Sequence, residues 1–166
     1  IDEVQVDSIM DLALSMYPQT KTIGYLYNSG EANSVANLAK LETYAQAKNL
    51  TVEKAAVTNA ADIQTGLSSL LDKADIIFSP TDNTVANAMT QVSAMCNDKK
   101  VPFFTGADPM GMDGGFATYG INYEALGKES AKMAIKVLNG TAIKDFAVDK
   151  TEYTVTVKDT ANVQIV

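Results

Sequence analysis

Three short polar clusters hold most of the side chains able to do chemistry: "NSGEANS" at 28–34, "SPTDNT" at 79–84 and "TGADP" at 105–109. They offer carboxylates (Glu31, Asp82, Asp108), amides (Asn33, Asn83) and hydroxyls (Ser34, Ser79, Thr81, Thr84). What is missing narrows their use. The 166-residue chain has no histidine and one cysteine, Cys96, and all 13 basic residues are lysine. Without His there is no Ser-His-Asp or Cys-His catalysis and no His-ligated zinc. Without Arg there is no bidentate carboxylate clamp, so a bound anion must rely on Lys, backbone N–H groups or hydroxyls. The composition points to a binding module rather than an enzyme, with no catalytic residue, metal site or cofactor expected.

Each cluster has a plain structural use. Asn33 or Ser34 can cap the helix that follows, with Gly30 easing the turn, and Asp82 can cap the next one. Asp108 before Pro109 is a common turn pair. The functional use draws on the same groups. A helix N-terminus presents free N–H donors and about half a positive charge, which suits a carboxylate or phosphate. Two carboxylates beside such a terminus match an α-amino acid, whose carboxylate needs donors and whose ammonium needs acidic acceptors.

Catalytic uses of the same residues fit less well. A phosphoryl-accepting receiver domain needs an acidic pair after the first strand and a Lys ending the fifth, where this chain has "YLYNSG" and "FATYG". A glycosidase could pair Asp82 with Asp108, but the 28–34 turn would then have no role. No GxxxxGK[ST] or GxGxxG phosphate loop occurs.

The elements that must position these clusters follow from periodicity. Residues 3–16 place Val6, Ile9, Met10, Ala13 and Leu14 at helical spacing before Pro18. "TIGYLY" (22–27), "LTVEKAAV" (50–57), "ADIIFSPTDN" (74–83), "VPFFTGADP" (101–109) and "GGFATYGIN" (114–122) read as extended segments. Helical patterns fill 33–48, with a stripe of Val35, Leu38, Leu41, Ala45 and Lys48, then 60–73, 84–97 and 123–140. "EYTVTVK" (152–158) closes as an edge-like strand. Tyr25, Tyr27, Phe103 and Phe104 are strand-core candidates, Cys96 a core residue, and Met110 and Met112 rim-loop residues able to line a ligand pocket. This alternation predicts an α/β fold, a doubly wound parallel sheet flanked by helices. Ligands of such sheets bind outside the strands' carboxyl ends, where all three clusters fall.

The net charge is −7, from 20 acidic against 13 basic residues, and no basic cluster occurs, so nucleic acid is not an expected partner. No apolar run approaches the roughly 20 residues of a membrane span. Any export signal is expected to lie outside this sequence.

The run "IGYLYNSGEANS", then "SPTDNTVANAM", "VPFFTGADP" and "GGFATYGINYEALGKESAKMAIKVLNG", resembles the ABC-transporter solute-binding proteins of the tryptophan- and tyrosine-associated type. The resemblance implies a type I periplasmic-binding-protein fold, of which residues 1–166 supply the C-terminal lobe. It implies capture of a small molecule, an amino acid, for an ABC permease, outside the cytoplasm (periplasmic or lipid-anchored at the cell surface). Carried over by position, Asn33 and Ser34 match an anion-binding turn, Asp82 and Asn83 a second ligand loop, and Asp108 a third. In the roles assigned here, Asn33 and Ser34 hold the ligand carboxylate, Asp82 and Asp108 take its ammonium, Asn83 bridges, and Glu31 faces solvent or the partner lobe. The helix at 123–139 is expected to pack on a first lobe that this chain does not supply. Its apolar face (Ala131, Ala134, Ile135, Leu138) would then favour self-association or repacking. The alternative is a ligand-sensing regulatory or extracytoplasmic sensor domain of the same fold.

Overall fold

The computed structural model describes residues 3–146 and 153–157. In chain order the elements are α1 (Val6–Met16), β1 (Thr22–Asn28), α2 (Ala32–Lys48), β2 (Thr51–Val57), α3 (Ile63–Leu71) and β3 (Ile76–Ser79). There follow α4 (Asn83–Ala86), α5 (Met89–Lys99), β4 (Phe103–Ala107), α6 (Asp108–Met112), β5 (Ala117–Ile121), α7 (Tyr123–Leu138) and β6 (Tyr153–Val157). The six strands lie in the order β2-β1-β3-β4-β5-β6. The first five are mutually parallel, and β6 runs antiparallel along β5, with Ile121 opposite Tyr153. The closing segment is thus an edge strand, and the expected α/β sheet with helices on both faces is present.

Apolar residues of the central strands are buried on both sides, as a parallel sheet covered by helices requires. One core joins Ile9, Met10 and Ala13 of α1 and Leu38, Leu41 and Tyr44 of α2 to Ile23, Tyr25, Phe78 and Phe104. The opposite core joins Ile63, Leu67 and Leu70 of α3 and Val92 and Cys96 of α5 to Leu26, Ile77 and Phe103. Helix α2 ends where Asn49 turns left-handed at φ 56°, its N–H returning to the Ala45 and Gln46 carbonyls.

Two periodicity-based expectations are corrected. The buried face of α2 is Ser34, Asn37, Leu38, Leu41, Tyr44 and Ala45, while Val35 is 45% exposed. The helix expected over 84–97 is split into α4 and α5 around Asn87 and Ala88. Met110 belongs to the second core rather than to a rim loop, and Met112 is exposed. Strand order explains why the three clusters converge. The chain turns left from β1 to β2, then back past β1 to β3, so the carboxyl ends of β1, β3 and β4 are neighbours and the order reverses between β1 and β3.

Helix α7 contrasts with the rest. Its start is capped by the Asn122 side chain, which accepts from the Ala125 N–H at 3.0 Å, yet none of its residues is buried. Ile135 and Leu138 are 57% and 85% exposed.

Cys96 is 2% exposed, and burial pushes its thiol pKa up to about 12. A thiol reagent at pH 8 should leave Cys96 unmodified in the folded protein and label it fully after denaturation. Rapid labelling of the folded protein would contradict the packing of α5.

Candidate functional site

Strand β1 carries the backbone to Asn28, and α2 begins three residues beyond Ser29. The Asn28 side chain closes this turn by accepting from the Gly30 N–H at 2.7 Å. The second turn leaves β3 at Ser79 and starts α4 with Asp82 as its cap, Asp82 Oδ1 accepting from Val85 N at 3.1 Å. The third leaves β4 directly into α6, so Asp108 is the first residue of a short helix rather than a loop residue.

The first two turns are bonded together by their own side chains. Asp82 is wholly buried, and its Oδ2 accepts from the Asn28 N–H and the Ser34 hydroxyl, both at 2.7 Å. The Asn33 amide donates to the Thr81 carbonyl at 2.8 Å, and the Asn28 amide donates to Thr84 Oγ1 at 2.8 Å. The Glu31 carboxylate crosses in the other direction, accepting from the Asn83 N–H at 3.0 Å and the Asn83 amide at 2.9 Å. Beneath them the Tyr25 hydroxyl donates to the Ser34 carbonyl at 2.8 Å. Burial, and next the Asp82 charge, push the Tyr25 hydroxyl far above its ordinary range, which keeps it a donor.

The third turn meets the second by backbone contact. A Cβ on Gly106 would stand 2.9 Å from the Pro80 carbonyl carbon and the Thr81 nitrogen, so glycine is required for that approach. Asp108 lies over β5, where a Cβ on Gly120 would meet its Oδ1 at 2.5 Å. Asp108 Oδ1 is buried without a hydrogen-bond partner. Loss of solvent raises the Asp108 pKa, and a hydrogen bond from the Thr154 hydroxyl partly offsets the rise.

All five residues singled out in the sequence thus lie on one edge of the sheet, but they are differently engaged. Ser34 and Asp82 are buried and bonded to each other. Asn33 and Asn83 are exposed, each with one amide N–H engaged. Asp108 is half-buried, and its Oδ1 is enclosed beside Gly120 without a hydrogen-bond partner. Glu31, expected to face solvent or another lobe, instead braces the second turn. Its signal in the sequence was a carboxylate at a helix start that Asn33 and Ser34 could already cap. A hollow of about 510 Å³ elsewhere, lined by Val4, Gln5, Lys40 and Tyr44 among others, includes no residue of the three turns.

Two outcomes follow. In Asp82→Asn one acceptor becomes an NH2 group facing donors, so stability should fall by about 2–3 kcal/mol. This would register as a lower urea midpoint at unchanged slope, and an unchanged midpoint would contradict the buried network. Asp108 binds its proton more tightly folded than unfolded, so its contribution to stability should decline as pH rises from the ordinary carboxylate range through its raised value. Asp108→Asn should remove that decline, and a variant with an unaltered pH slope would contradict it.

Comparison with known proteins bears on what such an edge is for. The family model described as ABC transporter substrate binding protein matches residues 1–164. The chain is 32% identical over 154 residues to a tyrosine-binding protein of Clostridioides difficile (strain R20291), covering 91% of this chain and 45% of that one. A solved Streptococcus pneumonia domain in complex with L-Trp superposes with a TM-score of 0.81 at 31% identity, over 92% of this chain and 52% of that one. The ligand-free, open structure of a Clostridium difficile substrate-binding protein with adhesive properties superposes at 0.80 and 32% identity, covering 99% of this chain and 60% of that one. The chain therefore spans about half the length of these relatives. Its sequence match over nearly every residue and its periplasmic-binding-protein fold together place it in the ABC transporter substrate-binding protein family.

Proposed function

We propose that this chain is the C-terminal lobe of a protein that captures an amino acid, aromatic ones first, for an ABC importer and performs no chemistry on it. The observation that carries the reading is the joined edge of three turns at the sheet's switch point, with Asp108 Oδ1 left without a partner. A carboxylate with an unsatisfied oxygen, at the same end of the sheet as two exposed amides, suits an ammonium group, whose three N–H donors need acceptors. The first N–H groups of α2, ahead of the bond from Val35 N to the Glu31 carbonyl, suit a carboxylate. In this assignment Asn33, Asn83 and Asp108 contact the ligand, while Ser34 and Asp82 hold the edge in shape. A hydrolytic pair of Asp82 and Asp108 is disfavoured because both Asp82 oxygens already accept hydrogen bonds inside the protein.

The two-lobe reading draws support from the chain's entry and exit points. The chain leaves the sheet at Asn122 for the exposed α7 and rejoins it at Tyr153. The Tyr153 hydroxyl donates to the Glu3 carbonyl at 2.8 Å and accepts from the Gln5 amide at 3.0 Å. The N-terminal segment, the exit and the return therefore meet at one corner. A first lobe joined there would cover the apolar side of α7, and closure of two lobes about that corner would trap ligand against the three turns. Location outside the cytoplasm and docking to a membrane permease belong to the same proposal. Among the described residues no helix is long and apolar enough to cross a membrane.

The test is a calorimetric titration of the full-length protein with the common amino acids. Binding of tyrosine or tryptophan, abolished by Asp108→Ala, is the expected result. Binding of a sugar or nucleobase and of no amino acid would overturn the reading. Chain 1–166 alone should bind far more weakly and self-associate in light scattering through α7; a monomer with α7 packed on its own sheet would refute that part.

A further inference from the structure

Glu31 stands at the cap position of α2 with an extended backbone, φ −95° and ψ 109°, but its side chain makes no bond to its own helix. Instead it spans the gap to the second turn. Both carboxylate oxygens lie 3.0 Å from the Asn83 nitrogen, Oε1 takes the Thr84 N–H at 3.2 Å, and Oε2 takes the Asn83 side-chain amide at 2.9 Å. Thr84 is itself tied back to the first turn, since its Oγ1 accepts from the Asn28 amide. The buried Asp82 makes the opposite crossing to Asn28 and Ser34. The two turns therefore exchange carboxylates. Removing either leaves several donors on the other side without an acceptor.

The exchange has a chemical consequence at the exposed amides. An amide beside a carboxylate must present its NH2 group, because its oxygen would be repelled. Glu31 thus fixes the orientation of the Asn83 amide and turns Asn83 Oδ1 away from itself. The Thr81 carbonyl does the same for Asn33. Both amides are exposed and turn their oxygens away from these bonds, which leaves two acceptors at the carboxyl ends of the strands.

We propose that Glu31 is a positioning residue for ligand recognition: it orients the Asn83 amide and the start of α4 so that this edge presents acceptors to a ligand's ammonium group. The inference rests on the amino-acid-binding reading above. It makes Glu31 a determinant of affinity acting through Asn83.

The experiment uses the full-length protein, titrated with L-tyrosine and L-tryptophan, and hydrogen exchange of the same proteins without ligand. Glu31→Ala should weaken binding by about tenfold or more, and Glu31→Gln, which keeps one acceptor oxygen, should recover part of that loss. In Asn83→Ala, where there is no amide left to orient, the further change Glu31→Ala should cost much less than it does alone. Ligand-free exchange at the Asn83 and Thr84 amides should accelerate in Glu31→Ala. Unchanged affinity in Glu31→Ala, or equal losses with and without the Asn83 amide, would overturn the positioning role. A wild-type protein that binds neither amino acid would sink the functional reading instead. In that event exchange decides: faster exchange at Asn83 and Thr84 in Glu31→Ala still supports the bracing of the second turn, and unchanged exchange overturns it.

Discussion

A carboxylate removed from water is costly unless its lone pairs are occupied, and Asp82 meets that condition without a cation. Two backbone N–H groups and one hydroxyl supply its hydrogen bonds, from β1, α2 and the first turn of α4. The ion pairs seen among the described residues join exposed lysines to exposed acids on the surface and do not involve Asp82. One buried side chain therefore specifies how three elements meet. Because hydrogen bonds to a charged acceptor are directional and worth more than neutral ones, the meeting point is fixed in angle as well as in distance.

The topology determines where that constraint acts. Strand order reverses between β1 and β3, and Asp82 and Glu31 link the turns at their carboxyl ends from opposite sides. The same bridging uses Ser34, Asp82 and Glu31 for bonds inside the protein. The side chains of Asn33 and Asn83 stay exposed, and Asp108 Oδ1 stays enclosed without a partner. The three turns contain no lysine, so the hydrogen bonds that join them involve no cation.

Much of this was legible in the sequence, and the exceptions share a cause. Alternating apolar runs and helical stripes identify the sheet because burial against helices on both faces is written into each segment locally. The turn at 28–34 and its partners at 79–84 and 105–109 stand out because polar residues gather at strand ends. Bonds between turns are not written locally. Nothing near Ser34 or Asn37 announces that they are buried, and the apolar pattern pointed to Val35 instead; the Ser34 hydroxyl is accommodated only because Asp82, 48 positions away, accepts it. Glu31 was misplaced for the same reason, since the Asn83 and Thr84 N–H groups that donate to its carboxylate lie 52 and 53 positions away. Met110 looked like a loop residue until α6 folded it into the second core. The end of α7 was easier, since Gly140 adopts φ 94° just past its last turn.

The most direct test of this edge as a ligand site is a crystal structure of the full-length protein grown with L-tyrosine or L-tryptophan. Ligand density is expected at the ends of β1, β3 and β4, with its ammonium within hydrogen-bond distance of the Asp108 carboxylate and the Asp82 bonds to Asn28 and Ser34 intact. Ligand bound away from these turns, or an Asp82 carboxylate released from Asn28 to bind the ammonium itself, would contradict it.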